Sequence, residues 1–255
     1  MDNEVTLRFV GSGRAAQALR AALGDPYRVV GFLGRGDDLF SAAEGVDVLV
    51  LAVGDDAIAE VAGRIAPNPS CLVLHLSGSR GLDVLAGHPR RAAMHPLAPL
   101  PDAQVGARRL RSGLTFAVAG DPQVLDLVDA LGGRPVPVRD EQRAAYHAAA
   151  SVAANHVVGL LGHLEQLAAA ADLPLEAFLP LTRAAVEDAA QLGPAAALTG
   201  PASRGDWQTL ERHLEAIPEA ERAAYRAGVA MVLSLMAAGA PAEVAVPAEL
   251  DLPVS

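Results

Sequence analysis

Short, nearly continuous apolar runs alternate with amphipathic stretches along the first half of the chain. The runs have the length and the valine and leucine content of buried strands, and they cover Val5–Val10, Arg28–Leu33, Val46–Val53, Cys71–Leu76, Arg91–Met94, Leu114–Val118 and Arg134–Val138. Helical spacing between them predicts helices over Gly13–Leu23, from an N-cap at Asp55 or Asp56 to Ile65, and over Pro122–Leu131. This alternation predicts an α/β fold with a doubly wound parallel sheet.

The pattern changes after Asp140, where helical spacing dominates the rest of the chain. The predicted helices cover Ala144–Ala170, Leu175–Leu192, Asp206–Ala216 and Glu219–Ala238. We therefore predict two domains, an α/β domain over residues 1–140 and an all-helical domain over 141–238. The last residues, 239–255, contain three prolines and several acids, so we expect a flexible tail there.

Composition and charge exclude several classes of function. The formal net charge is −10, and all 20 basic residues are arginines. The one basic cluster, Arg108, Arg109 and Arg111, is too small for a nucleic-acid surface, so we expect no nucleic-acid partner. The single cysteine, Cys71, lies in an apolar run, which predicts a buried structural thiol and excludes a disulfide or a cysteine metal site.

The hydrophobic content also bears on location. At 51% it is enough for a sizeable core, yet no apolar run approaches the ~20 residues that span a bilayer. The first apolar stretch is short and contains charged residues, unlike a signal peptide. We therefore expect a soluble, cytoplasmic protein without membrane contact.

The first predicted strand leads directly into a glycine motif of the form GxGxxA. Gly11 permits a tight turn, Gly13 lets the backbone approach a pyrophosphate, and the small Ala16 lets the next helix pack on the strand. The helix start offers free N–H groups and a partial positive charge to phosphates. This context favours a dinucleotide site of the Rossmann type over a plain strand–helix turn. The residues expected at the phosphates are Gly11, Ser12, Gly13, Arg14 and Ala15.

The end of the second predicted strand distinguishes between two cofactors. An NAD site usually has an acid there to hold the ribose 2′-OH, whereas this chain has Arg35, which can pair with a 2′-phosphate. Asp37 and Asp38 follow and are interpreted as N-caps. We predict NADP(H); the alternative is that Arg35 is an ordinary solvated arginine. The turn after the third strand should complete the cofactor site with Val53, Gly54 and Asp55.

Four further motifs occur in order: His75–Gly78, Met94–Leu97, Tyr146–Ser151 with Asn155-His156, and Leu198–Asp206. Together they resemble the family of Rossmann-like proteins with a C-terminal domain of unknown function (number 2520), over about residues 5–238. The resemblance implies kinship with the β-hydroxyacid and 6-phosphogluconate dehydrogenase-like group. Other members of that group include ketopantoate reductase, pyrroline-5-carboxylate reductase, prephenate dehydrogenase and deazaflavin-dependent NADP reductases. The resemblance also implies a homodimer formed through the C-terminal helices.

Candidate catalytic residues follow the predicted central strands, where the nicotinamide lies in such folds. His95-Pro96 is similar to the His-Pro of prephenate dehydrogenases, so the resemblance implies that His95 is a general acid/base. The alternative is a histidine that bonds a loop carbonyl. Ser77 either hydrogen-bonds a substrate or caps the following helix, and the sequence leaves both open.

The long helix carries a polar stripe of His147, Ser151 and Asn155 at i, i+4 spacing. We predict that this stripe faces the catalytic cleft; the alternative is hydrogen bonding between helices. β-Hydroxyacid dehydrogenases place a catalytic lysine one turn before an asparagine on this helix, and Ser151 occupies the position of that lysine. The mechanism that uses the lysine is therefore in doubt.

Two residues of the second domain are candidate substrate ligands, Thr199 and Arg204. Arg204 could bind a substrate carboxylate through two hydrogen bonds. Asp206, in the same segment, could equally be the N-cap of the next helix. The resulting hypothesis is an NADP(H)-dependent oxidoreductase that acts on a C=O or C=N bond of a small carboxylate, with ketopantoate reduction as one example. The rival hypothesis is a non-catalytic NADP(H)-binding sensor or partner protein. We expect no metal ion.

Overall fold

A computed structural model describes residues 4–237 of the chain. The predicted tail therefore lies outside the described residues. The first half forms strands separated by helices, and the strands are β1 Val5–Val10, β2 Tyr27–Leu33, β3 Val48–Leu51, β4 Leu72–His75, β5 Arg91–Pro96, β6 Thr115–Gly120 and β7 Arg134–Pro137. The helices of this half are α1 Arg14–Ala22, α2 Ile58–Gly63, α3 Ala103–Leu110, α4 Val124–Ala130 and α5 Arg143–Ser151.

These strands form one seven-stranded sheet in the order β2-β1-β3-β4-β5-β6-β7. The chain leaves β1 to one side for β2 and returns to its other side for β3, in parallel register on both sides. The strand order therefore reverses at β1, and the ends of β1 and β3 face the crevice where open α/β sheets bind ligands. The predicted α/β fold with a Rossmann-type first half is confirmed.

One pair of neighbouring strands is antiparallel, which corrects the prediction of an all-parallel sheet. β6 lies antiparallel to β5, with Pro96 opposite Phe116, and β7 is parallel to β6. The connecting helix α3 packs on α1, where Gly106 faces Ala18. After β5 the chain does not cross back to the end of the sheet at which β5 begins. Instead, β6 begins beside the last residues of β5 and runs in the opposite direction.

The sheet separates two apolar layers, because successive strand residues point to opposite faces. In β3, Val48 and Val50 pack with α1, α3 and α4, while Leu49 and Leu51 pack with α2 and residues 39–46. Cys71 lies in the second layer with no exposed surface. Burial raises the pKa of its thiol to about 11. The predicted buried structural thiol is thus confirmed.

The second half of the described chain is helical, as predicted, but less regular. The predicted helix from Ala144 to Ala170 consists of α5, a π-helical segment Val152–His156 and α6 Val157–Ala170. The remaining helices are α7 Leu179–Leu192, α8 Trp207–Ala216 and α9 Arg222–Ala237. Asp206 caps α8 by accepting a hydrogen bond from the Thr209 N–H at 3.2 Å, so the capping alternative for Asp206 is correct.

The chain divides into two compact units between Ala154 and Asn155, later than the predicted boundary at residue 140. The difference arises because α5 packs on the first unit through Arg143, Tyr146 and His147. The second unit has its own small core, which includes Leu210 and Leu233. Across residues 4–237, no helix has both the length and the apolarity needed to cross a membrane.

Candidate functional site

The turn after β1 requires glycine. Gly11 has φ +96°, and a Cβ at this position would meet the carbonyl of Ala52 and lie 3.2 Å from Cγ1 of Val53. Its N–H donates to the Leu33 carbonyl at 2.8 Å, which joins the ends of β1 and β2. Gly13 caps α1 without a side chain, and a Cβ there would meet nothing within 4 Å. The start of α1 is therefore open for an anion.

A cavity of about 660 Å³ opens at this turn in the first unit. Its lining includes the predicted cofactor residues Gly11, Ser12, Gly13, Arg35, Val53 and Gly54. The predicted residues Arg14, Ala15 and Asp55 are not part of the lining. Arg14 and Ala15 belong to α1 itself, and Asp55 begins a short 3-10 turn, Asp55–Ala57, so it does not act as an N-cap.

Two arginines line this cavity, Arg35 after β2 and Arg64 after α2. Both are exposed, and neither guanidinium forms an ion pair or hydrogen bond with any residue that the structure describes. The acids that follow Arg35 are engaged elsewhere. Asp37 accepts from the Gly34 N–H at 2.6 Å and Asp38 from the Phe40 N–H at 3.0 Å. They cap turns of the loop rather than a helix, and both cations stay available for an anionic group.

A second group of polar side chains surrounds His95, at the end of β5. The Nδ1 atom of His95 lies 2.7 Å from the hydroxyl of Tyr146, on α5. The His147 ring meets the His95 ring edge-on, with centroids 6.1 Å apart. Gly78 lies against both imidazoles, because a Cβ at residue 78 would be 2.9 Å from Cε1 of His95 and 2.9 Å from Cδ2 of His147.

His95 is a neutral imidazole at neutral pH. Burial lowers its pKa to about 4, His147 and Arg143 act in the same direction, and Asp55 opposes them. An unperturbed histidine, as expected of a general acid/base, titrates near neutral pH. The structure instead offers a neutral ring that can donate one hydrogen bond and accept another.

Ser77 and His75 shape the turn that follows β4. The Ser77 hydroxyl accepts from the N–H groups of Ser79 at 3.2 Å and Arg80 at 3.1 Å, which agrees with a capping role, although it caps a turn and not a helix. The Ser77 N–H donates to Nδ1 of His75, so Nε2 of His75 carries the proton and donates to the Gly81 carbonyl at 3.1 Å. Burial lowers the pKa of His75, which agrees with a neutral structural ring.

Asp55 belongs to this second group rather than to the cavity. Its carboxylate accepts from the Ser79 hydroxyl at 2.6 Å. Burial alone would raise the pKa of Asp55, but hydrogen bonds from Ser79 and Ser77 and the nearby His147 and Arg80 outweigh burial and lower it. Asp55 is therefore a charged carboxylate that ties the end of β3 to the turn after β4.

Arg143 is a buried cation that sequence reasoning missed. Its side chain is 1% exposed and pairs with Asp140 at 3.3 Å. One nitrogen, Nη1, donates to the Ser77 carbonyl at 3.4 Å, whereas Nη2 is buried without a hydrogen-bond partner among residues 4–237. Asp140 also accepts from the Leu82 N–H at 2.9 Å. The pair thus fixes both ends of the turn that carries Gly78.

Of the residues in the predicted polar stripe, His147 joins this group through its contact with the His95 ring. His147 and Ser151 lie in α5, and Asn155 is exposed in the π-helical segment, where i, i+5 backbone hydrogen bonds replace the i, i+4 bonds of an α-helix. Thr199 lines an apolar cavity of about 430 Å³ in the second unit. Arg204 ends a short 3-10 turn and is exposed. Their role as substrate ligands stays a prediction.

The fold and the cavity at the glycine turn define a Rossmann-type protein with a helical C-terminal part. Residues 114–231 match the model of the family described as "Domain of unknown function (DUF2520)". The match covers less than half of the chain and agrees with the resemblance that the sequence motifs show. A comparison with curated proteins finds no match.

Solved structures with this fold are distant in sequence. BF3122 of Bacteroides fragilis, described as a candidate NADP oxidoreductase, has a TM-score of 0.74 at 21% identity over 92% of this chain and 98% of its own. TM1727 of Thermotoga maritima has a TM-score of 0.69 at 22% identity over 91% and 99%. Pyrroline carboxylate reductase of Plasmodium falciparum, solved with NADP bound, has a TM-score of 0.60 at 14% identity over 92% and 99%.

Proposed function

We propose that the chain binds a nicotinamide dinucleotide, NADP(H) rather than NAD(H), in the cavity beside the glycine turn. The observation that carries this proposal is the pairing of that turn with two unpartnered arginines, Arg35 and Arg64, in one cavity. The backbone at Gly11 and Gly13 would hold the pyrophosphate, and the two guanidinium groups would hold a 2′-phosphate. The structural relatives that are solved with NADP or described as NADP enzymes support the same reading.

The reaction that we propose is reduction of a C=O or C=N bond in a small carboxylate-bearing substrate. Bound NADPH would supply a hydride to the carbon atom, and the oxygen or nitrogen atom would gain a proton from water. His95 would donate a hydrogen bond to that oxygen or nitrogen and stabilise the charge that develops there, as a neutral imidazole can. Ser77 and Asp55 would hold the neighbouring turns in place through the bonds described above.

Chemistry at C=N is supported by the names of three structural relatives. Besides the pyrroline carboxylate reductase, the fold is shared with a reductive aminase of Aspergillus terreus and an imine reductase of Streptomyces aurantiacus, at TM-scores of 0.63 and 0.54. Ketopantoate reduction stays a candidate that rests on the sequence resemblance alone. A panel that contains cyclic imines, 2-oxo acids and aldehydes covers these alternatives.

The test is a titration followed by a turnover assay. Purified protein should quench or shift NADPH fluorescence with micromolar affinity and bind NADH more weakly; no binding of either nucleotide would refute the proposal. An enzyme should then oxidise NADPH in the presence of at least one substrate of the panel. Binding without turnover on the whole panel would favour the sensor hypothesis, which is motivated by Ser151 at the position of the lysine of related dehydrogenases.

We also propose a homodimer formed through the helices of the second unit. Large apolar side chains on α6, α7 and α9 are 58–69% exposed, namely Val158, Leu160, Leu181, Val186 and Met231. A group of exposed apolar side chains of this kind is typical of an interaction surface. A cytoplasmic location and the Thr199 and Arg204 substrate contacts are kept as predictions of the sequence.

A further inference from the structure

The hydrogen bond between His95 and Tyr146 has a direction that can be argued from chemistry. A phenol is a better donor than a neutral imidazole N–H, and an imidazole nitrogen is a better acceptor than a phenol oxygen. Among the described residues, the only hydrogen bond of the Tyr146 hydroxyl is the one to Nδ1 of His95, at 2.7 Å. With the phenol as donor, Nδ1 is the acceptor, and the proton of the neutral ring lies on Nε2.

The second ring nitrogen of His95 has no competing partner. Within residues 4–237, no hydrogen bond involves Nε2 of His95, and this nitrogen is not among the fully buried orphan atoms. An Nε2–H group would therefore be free to donate to a substrate. The opposite tautomer would place a lone pair there, which can accept a proton but cannot stabilise a developing negative charge.

The ring is also confined by its neighbours. The Tyr146 ring meets the His95 ring edge-on, with centroids 5.6 Å apart at 88°, and His147 meets it at 74°. Gly78 leaves room for the His95 ring because it has no side chain. A Cβ at this position would lie 2.9 Å from Cε1 and 3.0 Å from Nδ1 of His95. Any side chain at residue 78 would push the two histidine rings apart.

We propose that Tyr146 is a positioning residue that holds His95 in the Nε2–H tautomer, and that Gly78 provides the space in which the His95 ring keeps this orientation. The groups that act electrostatically on His95 are His147, Asp55, Arg143 and His75. Because His95 stays neutral at neutral pH, its tautomer, rather than its charge, determines whether it can donate to a substrate. The kinetic consequence rests on the proposed function; the tautomer itself does not.

The first experiment reads the tautomer directly. Protein labelled with 15N-histidine is studied by NMR correlation of ring nitrogens and ring protons near pH 7.5, and the His95 signals are assigned by their loss in His95→Gln. The wild-type protein should show a protonated Nε2 and an unprotonated Nδ1. A protonated Nδ1 in the wild-type protein would overturn the proposal.

Two tyrosine variants make the comparison specific. Tyr146→Phe should remove the preference, so that the His95 nitrogens show averaged signals, while the signals of the other histidines stay in place. Tyr225→Phe is the matched control, because the Tyr225 hydroxyl lies 2.6 Å from Nδ1 of His213 in the second unit. That control should shift the signals of His213 and leave those of His95 unchanged. Unaltered His95 signals in Tyr146→Phe would contradict the proposal.

The second experiment measures turnover with a substrate found in the panel. Tyr146→Phe and Gly78→Ala should each lower kcat about tenfold or more, since the wrong tautomer or ring position removes a donor from the transition state. The Kd for NADPH should stay unchanged in both. Wild-type kcat in Tyr146→Phe would overturn the positioning role. A wild-type protein with the expected tautomer but no turnover would instead refute the proposed function alone.

Discussion

Nη1 of Arg143 donates to the main-chain carbonyl of Ser77 at 3.4 Å, although 66 residues separate the two in sequence. Through this bond, a helix that sequence reasoning assigned to the second domain holds the turn after β4. The same arginine pairs with Asp140, which binds the Leu82 N–H at the far end of that turn. The position of Gly78, and with it the space around His95, therefore depends on a cation that is almost completely buried.

Replacement of Arg143 by methionine tests this dependence. Arg143→Met keeps the length of the side chain but leaves the Ser77 carbonyl without this donor and the Asp140 carboxylate with only the Leu82 N–H, so the free energy of unfolding should fall by roughly 1–3 kcal/mol. Urea denaturation measures the change. The matched control is Arg139→Met, whose ion pair with Glu141 is exposed and screened by solvent, so this variant should lose much less stability. Equal losses in the two variants would argue against a special role for Arg143.

The two arginines of the cavity should discriminate between nucleotides. Arg35→Ala and Arg64→Ala should each weaken NADPH binding by about 10- to 100-fold, because each removes a charged hydrogen-bond donor from the 2′-phosphate. Binding of NADH should change by less than about threefold, since it lacks that phosphate. Arg111→Ala, at an exposed position outside the cavity lining, is the control for a general effect of charge. A similar loss for both nucleotides would remove the 2′-phosphate role.

Substitution of His95 should separate binding from turnover. His95→Gln should lower kcat by about 100-fold, the range found when a positioned donor is lost from a transition state. The NADPH affinity should stay at the wild-type value, because His95 is not part of the cavity lining. Steady-state kinetics and a fluorescence titration of the same preparations provide both values. Full activity in this variant would eliminate His95 as the donor.

The lowered pKa of His95 also predicts how stability depends on pH. The folded protein binds this proton only near pH 4, whereas an unperturbed histidine binds it near 6.5. Above pH 6.5 neither state is protonated, and between 6.5 and 4 only the unfolded chain takes up the proton, so the free energy of unfolding should decrease as the pH falls through this window.

Urea denaturation at several pH values measures this dependence. His95→Gln should show a shallower loss of stability between pH 6.5 and 4, and the remaining slope should include His75, whose pKa burial also lowers. The control is His156→Gln, at an exposed position, which should keep the wild-type slope. A slope in His95→Gln that equals that of the wild type would contradict the assigned pKa.

The exposed apolar residues of the second unit predict the oligomeric state. Light scattering should give twice the chain mass of 26.2 kDa at micromolar concentration. Leu181→Glu, at a residue that is 69% exposed, should shift the protein toward monomer, because a buried unpaired carboxylate is unfavourable in an interface. Leu125→Glu, on α4 of the first unit, is the control and should leave the mass unchanged. A monomeric wild-type protein would refute the dimer.

The sequence predicted the sheet because its central strands β3 and β4 are buried on both faces and therefore apolar, as in Val48–Leu51. It predicted the turn at Gly11 because only glycine tolerates that backbone and that close approach. It missed α3, whose N-cap is Asp102, because this helix follows a proline-rich loop and lacks a strong apolar pattern. The antiparallel pair β5–β6 depends on how α3 packs, which no local pattern encodes.

The group of polar side chains around His95 was predicted only in part. His95 stands out beside a proline at the end of a strand, and Gly78 and Tyr146 lie in motifs that were quoted for the resemblance. The local sequence around Gly78 and Tyr146 indicates no role for either residue, because both reach His95 only through tertiary contacts. Arg143 and Arg64 resemble any surface arginine in sequence, and only burial or cavity lining distinguishes them. The predicted stripe of Ser151 and Asn155 assumed an uninterrupted α-helix, whereas the structure has a π-helical segment at Val152–His156.

Cys71 offers a practical consequence of the buried core. It is the single thiol of the chain, its side chain has no exposed surface, and its pKa of about 11 keeps it protonated. A reagent that reacts with thiolates can therefore modify the native protein only when the sheet opens, so the rate of labelling reports how often the α/β unit unfolds. The same shielding should protect this thiol from mild oxidants for as long as the fold stays closed.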